Sequence, residues 1–132
     1  MSTAPGPAPG GGTAASVTVS THVLDTAAGR PAAAIAVELS ARGGEHGAWE
    51  PVGTGVTDGD GRCRGLPALP PGASHARLVF AVEPYLARER ESAGGKGAFF
   101  PEVAVAFAVM PGEHYHVPLL LNPFGYAVYR GS

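Results

Sequence analysis

HYHVPLLLNPFGYAVYRGS, residues 114–132, decides how the rest of the chain is read. Tyr115, Val117, Leu119 and Leu121 alternate onto one face and leave His114, His116 and Leu120 on the other. That is the period of a half-buried strand. Asn122-Pro123 breaks the run, because Pro donates nothing to a ladder and Asn favours turns. A second alternating run, residues 124–130, carries the chain to its last residue. A terminal strand pinned in this way is expected to bring Tyr129, Arg130, Ser132 and the α-carboxylate to one place. Two histidines opposite an apolar face, beside that terminus, predict a site.

Further strands are read in the same way. Residues 16–24 place Val17, Val19, Thr21 and Val23 on one face and Thr18, Ser20, His22 and Leu24 on the other. A turn over residues 25–31 follows, punctuated by Gly29 and Pro31. Residues 34–40 form a strand burying Ile35, Val37 and Leu39, residues 48–56 another containing Trp49 and Val52, and residues 63–66 a short one after an Asp- and Gly-rich turn. Leu78, Phe80 and Val82 face inward from a strand over 76–82. The most regular alternation, 102–109, sets Val103, Val105, Phe107 and Val109 against a face of Ala104, Ala106 and Ala108 that lets another layer or subunit approach closely. One helix is expected, over residues 84–91, with Pro84 near its start and Gly94-Gly95 at its end. Seven to eight short strands separated by turn signals define an all-β, antiparallel β-sandwich with one short helix.

With 132 residues and 45% apolar content, one domain with a packed core is expected. Residues 1–15, rich in Gly, Pro and Ala, read as a disordered leader with neither the basic nor the apolar region of a secretory signal, and residues 16–132 as the domain. A net charge of −2, with nine dispersed Lys and Arg, argues against nucleic acid or an anionic membrane as partner. No apolar stretch reaches the ~20 residues that span a bilayer. The lone cysteine, Cys63, is compatible with a reducing compartment, and a cytoplasmic location is expected.

Several side chains could carry chemistry. His22 is either a solvated strand histidine or a general base, since free imidazole titrates near ~6.5. Alternation does not choose between His114 and His116, which share a face; as a pair they could also ligate a metal, but no third ligand stands at readable spacing. Arg62 is a surface arginine at a strand start or a planar cation holding an anionic or amide-bearing substrate. Asp58-Gly59-Asp60-Gly61 faintly resembles a calcium loop, yet lacks the closing Glu and reads as turn chemistry. Trp49 and Cys63 read as packing residues.

The block HYHVPLLLNPFGYAVYRGS resembles 5-hydroxyisourate hydrolases, the enzymes related to transthyretin. STHVLD with GRPA, residues 20–25 and 29–32, and TDGDGRC, residues 57–63, resemble the first and middle motifs of that family. The likeness covers residues 16–132. It implies a transthyretin-like topology and a homotetramer with sites in the cleft between dimers. Carried over position by position, it implies catalytic roles for His22, Arg62, His116 and Ser132, and substrate binding by Tyr129, Arg130 and Gly131. Its choice of His116 over His114 comes from the match alone. The implied reaction is hydrolytic ring opening of 5-hydroxyisourate, the product of urate oxidation, without metal or organic cofactor. Asn122, where Ser is common, and Ala127, where a small polar residue is common, depart from the family without touching these positions. A transthyretin-like carrier and a siteless adhesion-type sandwich are the rival readings. Two histidines and an arginine suit a polar heterocycle better than an apolar hormone, and a purely structural sandwich has no need of polar motifs at three places.

Overall fold

The computed structural model describes residues 16–92 and 98–132. The leader over residues 1–15 and the helix stop at Gly94-Gly95 lie outside the described residues. One sheet is ordered β2-β1-β8-β9, with β5 also paired to β1; it consists of β1 (Thr18–Asp25), β2 (Arg30–Pro31), β5 (Arg62–Cys63), β8 (His114–Asn122) and β9 (Gly125–Val128). The second is ordered β4-β3-β6-β7, from β3 (Ala36–Arg42), β4 (Glu50–Val56), β6 (His75–Ala81) and β7 (Val103–Ala108). The sandwich and all eight expected strands are therefore present. A ninth, β2, is a two-residue pairing inside the stretch read as a turn.

Alternation places the core where the sequence put it. Val17, Val19 and Val23 from β1 and its approach join Tyr115, Val117, Leu119 and Leu121 from β8, facing Val37, Leu39, Leu78, Phe80 and Val103 of the other sheet. One pairing departs from the antiparallel expectation: β1 and β8 run parallel, from Thr18 opposite His114 to Asp25 opposite Leu121. No hairpin links strands so distant in sequence, so nothing local dictates their direction. Trp49 precedes β4 rather than lying within it, and its ring is flanked by the guanidiniums of Arg42 and Arg77, 4.4 and 4.9 Å from the ring centre.

The helix, α1 (Glu83–Ser92), docks by Tyr85 and Leu86. The Tyr85 hydroxyl donates to Asp25 Oδ2 at 2.7 Å, and Asp25 Oδ1 accepts from the backbone N–H groups of Ala27 and Ala28 at 3.0 and 2.9 Å. Asp25 thus caps the end of β1, starts the following turn and anchors the helix. Burial, reinforced by Asp25, pushes the Tyr85 phenol up to about 12. Replacing Asp25 by Ala strands three donors, two of them backbone. We expect it to destabilise the fold by at least the roughly 1–3 kcal/mol of one unsatisfied buried group, seen as a lower urea midpoint at unchanged m-value. A midpoint within error of the parent would contradict this role.

Candidate active site

The site lies on the outward face of the first sheet. Because β1 and β8 are parallel and in register, Thr18 stands opposite His114, Ser20 opposite His116 and His22 opposite Pro118. On the other side of β1, His22 is the cross-strand neighbour of Arg62 in β5. One pleated surface therefore gathers Arg62, His22, Ser20, Thr18, His114 and His116 from three strands.

Arg62 is delivered by a turn that its own sequence builds. Asp58 Oδ1 accepts from the backbone N–H of Asp60 at 2.9 Å and of Arg62 at 3.0 Å, while the Asp58 carbonyl accepts from Gly61 N–H at 2.9 Å. The Arg62 hydrogen bond, before that of Asp60, holds the Asp58 carboxyl below its ordinary range. Gly61 has φ of 77°, and a Cβ there would collide with the Val23 carbonyl oxygen, so only glycine lets β5 close against β1. The Asp/Gly run is turn chemistry. Among the described residues, no group of three or more His, Cys, Asp or Glu is placed to hold a metal ion.

A depression of about 570 Å³, within the range of small-molecule sites, is lined by Ser20, Arg62, Arg64, His114, His116 and Ser132, among others. Two guanidiniums and no Asp or Glu side chain among its lining make it a place for an anion or a developing negative charge. The hydroxyl of Ser20 lies 2.8 Å from His116 Nδ1 and 3.0 Å from His114 Nε2, and Thr18 Oγ1 lies 2.7 Å from His114 Nδ1. Burial, then the charges of Arg62, His22 and His114, hold the His116 imidazole below its ordinary pKa. His116 is consequently neutral at neutral pH.

His22 shares this face but does not line the depression. Its Nε2 lies 2.9 Å from the Asp60 carbonyl oxygen. A carbonyl only accepts, so Nε2 carries the hydrogen and, in the neutral ring, Nδ1 carries the lone pair. The terminal residues divide between two places rather than one. Gly131 N–H donates to the His116 carbonyl at 2.7 Å, and Ser132 reaches the depression. Tyr129 and Arg130 line a second hollow of about 250 Å³ beside Val105 and Phe107, where the Arg130 guanidinium stacks 4.5 Å from the Tyr115 ring centre and pairs with Glu113 at 3.0 Å. Tyr129 and Arg130 thus stay beside β7 and β8 at the second hollow, and only Gly131 and Ser132 reach the first.

Reading the sequence missed Ser20, Thr18 and Arg64. Alternation did put Thr18 and Ser20 on the His22 face, but only the parallel register of β1 on β8 sets them against the two histidines.

A depression on the outer face of a two-sheet sandwich, lined by two guanidiniums, two imidazoles and the hydroxyls that bond them, offers the groups for acid–base chemistry on a small molecule. Residues 19–131 match the HIUase/transthyretin family, and the chain belongs to it. It is 42% identical over 118 residues to a 5-hydroxyisourate hydrolase of Mesorhizobium japonicum, covering 86% of this chain and 91% of that one. The structure of Klebsiella pneumoniae 5-hydroxyisourate hydrolase superposes with a TM-score of 0.69 at 34% identity, over 87% of this chain and 99% of that one. Transthyretin from Sparus aurata superposes with a TM-score of 0.71 at 29% identity, over 86% and 95% of the two chains. Fold alone therefore does not separate hydrolase from carrier, and the side chains must. Among the described residues, no helix is long and apolar enough to cross a membrane.

Proposed function

We infer that this protein hydrolyses 5-hydroxyisourate to 2-oxo-4-hydroxy-4-carboxy-5-ureidoimidazoline, a step of urate degradation. The observation that carries the reading is His116: a neutral imidazole in a cationic depression, one nitrogen engaged by Ser20 and the other without a protein partner among the hydrogen bonds of the described residues. Relatives that are 5-hydroxyisourate hydrolases, covering most of the chain, support the substrate. Two guanidiniums and two imidazoles in the lining weigh against a carrier of apolar ligands.

His116 Nε2 takes a proton from water as its oxygen bonds the scissile carbonyl carbon. Arg62 faces the oxyanion that forms, and such preorganised charge is commonly the largest contribution to a rate. His22, its hydrogen directed at Asp60, holds the far side of Arg62 and offers a second proton site. Ser132 lies within the depression to orient water or substrate, and Tyr129 and Arg130 brace the terminal segment from its other side. No cofactor is called for in this scheme. When 5-hydroxyisourate is generated from urate by urate oxidase, its decay is expected to accelerate on adding the protein. Activity should fall on acidification only below the ordinary imidazole range near 6.5, because the lowered pKa of His116 keeps the base neutral to lower pH. An acid limb above that range would contradict His116 as base.

Gly131 has a positioning role in this scheme. A Cβ there would lie 2.9 Å from His116 Cδ2 and 3.2 Å from the Pro118 ring. Gly131→Ala should displace the imidazole and lower kcat by up to about 10²-fold, the cost of a misplacement near 1 Å. Full activity in that variant would show that the ring tolerates the shift.

A homotetramer in the cytoplasm completes the reading. β7 and β9 are edge strands, each with a partner strand on one side among the described residues, the Ala face of β7 is exposed, and Phe124, Tyr126, Val128 and Tyr129 put apolar surface into solvent in the single chain. The single cysteine, Cys63, is buried and free, as suits a reducing compartment. Light scattering should give about four times the 13.3 kDa chain mass, and a monomer at micromolar concentration would count against it.

A further inference from the structure

We propose that His114 and His116 act as one proton-sharing pair through the Ser20 hydroxyl, with His114 as the solvent-side end through which a proton leaves the site. The proposal rests on the hydrolase reading and adds to it a role for three residues, Ser20, His114 and Thr18.

The geometry is a continuous chain: His116 Nδ1 to Ser20 Oγ at 2.8 Å, Ser20 Oγ to His114 Nε2 at 3.0 Å, and His114 Nδ1 to Thr18 Oγ1 at 2.7 Å. A hydroxyl has one hydrogen, so Ser20 donates to only one ring at a time. Two arrangements satisfy every contact. In the first, His116 Nδ1–H donates to Ser20, Ser20 donates to His114 Nε2, and His114 Nδ1–H donates to Thr18; His116 Nε2 is then bare and can act as a base. In the second, every bond runs the other way, and His116 Nε2 carries a hydrogen. The state of His114 therefore sets which role His116 can play.

The reaction itself calls for an exit. Water supplies two protons: one ends on the leaving nitrogen as the C–N bond breaks, and the other is lost when the new carboxylic acid ionises. A ureido nitrogen is too weakly basic to keep the second, so each turnover releases one proton. Held at His116 Nε2, it makes the ring an imidazolium. The Nδ1 proton then passes to Ser20 Oγ, the Ser20 proton passes to His114 Nε2, and His114 passes its Nδ1 proton to Thr18 Oγ1, which gives up its own hydroxyl proton to bulk water. Each O–H or N–H bond broken is matched by one formed, and the chain returns to its first arrangement by exchange with water at both ends once product has left. Charge placement favours the outward direction. Arg62 from β5 and Arg64 after it line the depression and His22 stands beside Arg62 on β1, whereas His114, which also lines it, is the more exposed of the two rings. Gly131 and Ser132 complete that surround, and the Ser132 α-carboxylate, the one negative charge there, is outnumbered by the two guanidiniums.

The test compares wild type with Ser20→Ala and Ser20→Thr in weak buffer. Ser20→Ala should lower kcat about tenfold, less than loss of the base itself, with KM nearly unchanged, and Ser20→Thr should restore it by returning the hydroxyl. Added imidazole should raise kcat of Ser20→Ala but not of wild type, because a mobile base replaces the missing route. An undiminished kcat in Ser20→Ala, or a loss that neither Thr nor imidazole restores, overturns the proposal. Imidazole 15N titration of the free protein separates this from failure of the hydrolase reading. In wild type the two rings should titrate in linked steps, and in Ser20→Ala that linkage should weaken. Identical titration curves in both would overturn the pair whatever the activity; an inactive wild type with linked rings would sink only the hydrolase reading.

Discussion

Replacing His116 by Asn is expected to lower turnover by about 10²–10⁴-fold, the usual worth of a positioned general base, while the protein stays folded. Asn keeps a polar group near Ser20 but offers no basic nitrogen at neutral pH. The side chain sits on the outward face of β8, opposite the apolar row of Tyr115, Val117 and Leu119, so the core is untouched. His114→Asn should cost far less, because His114 lies at the exposed end of the chain of hydroxyls and rings and serves the base only through Ser20. The check is kcat for both variants beside their far-UV spectra and melting curves. Equal losses in two folded proteins would mean that the base is not His116 alone.

Removal of Arg62 should have the next largest effect. Arg62→Met retains the length of the side chain and the backbone bonds that Asp58 makes, so stability should move by no more than about 0.5 kcal/mol. Loss of the charge facing the oxyanion should cost about 10²–10³-fold in kcat. A second readout follows from electrostatics. Arg62 is one of the charges that depress His116, after burial itself. Without it, the His116 pKa should rise, and the acid limb of the pH profile should move to higher pH. A limb that stays in place would place Arg62 too far from His116 to be its partner.

Much of this was legible in the chain. Period-2 alternation assigned β1, β3, β6, β7 and β8 and their buried faces, because a one-residue slip would have put Val, Leu and Phe side chains in water. Arg62 and His22 could be singled out, but their approach could not be read, since it depends on Gly61 fitting beneath the Val23 carbonyl. Ser20 escaped for a different reason. Alternation reports a face and not a direction, so the parallel register that sets Ser20 opposite His116 is invisible until β1 and β8 are placed together. Alternation along the terminal segment does not show where it leaves the sheet: Tyr129 and Arg130 both line the second hollow, while Gly131 pairs with His116 and Ser132 reaches the first.

The most direct measurement is the first-order decay of 5-hydroxyisourate, made from urate in the same cuvette and followed optically at several concentrations of this protein. Catalysis at the His116 site predicts a decay rate that rises linearly with protein, with a slope that falls about 10²–10⁴-fold for His116→Asn. A rate independent of protein concentration, or one that His116→Asn leaves unchanged, would contradict it.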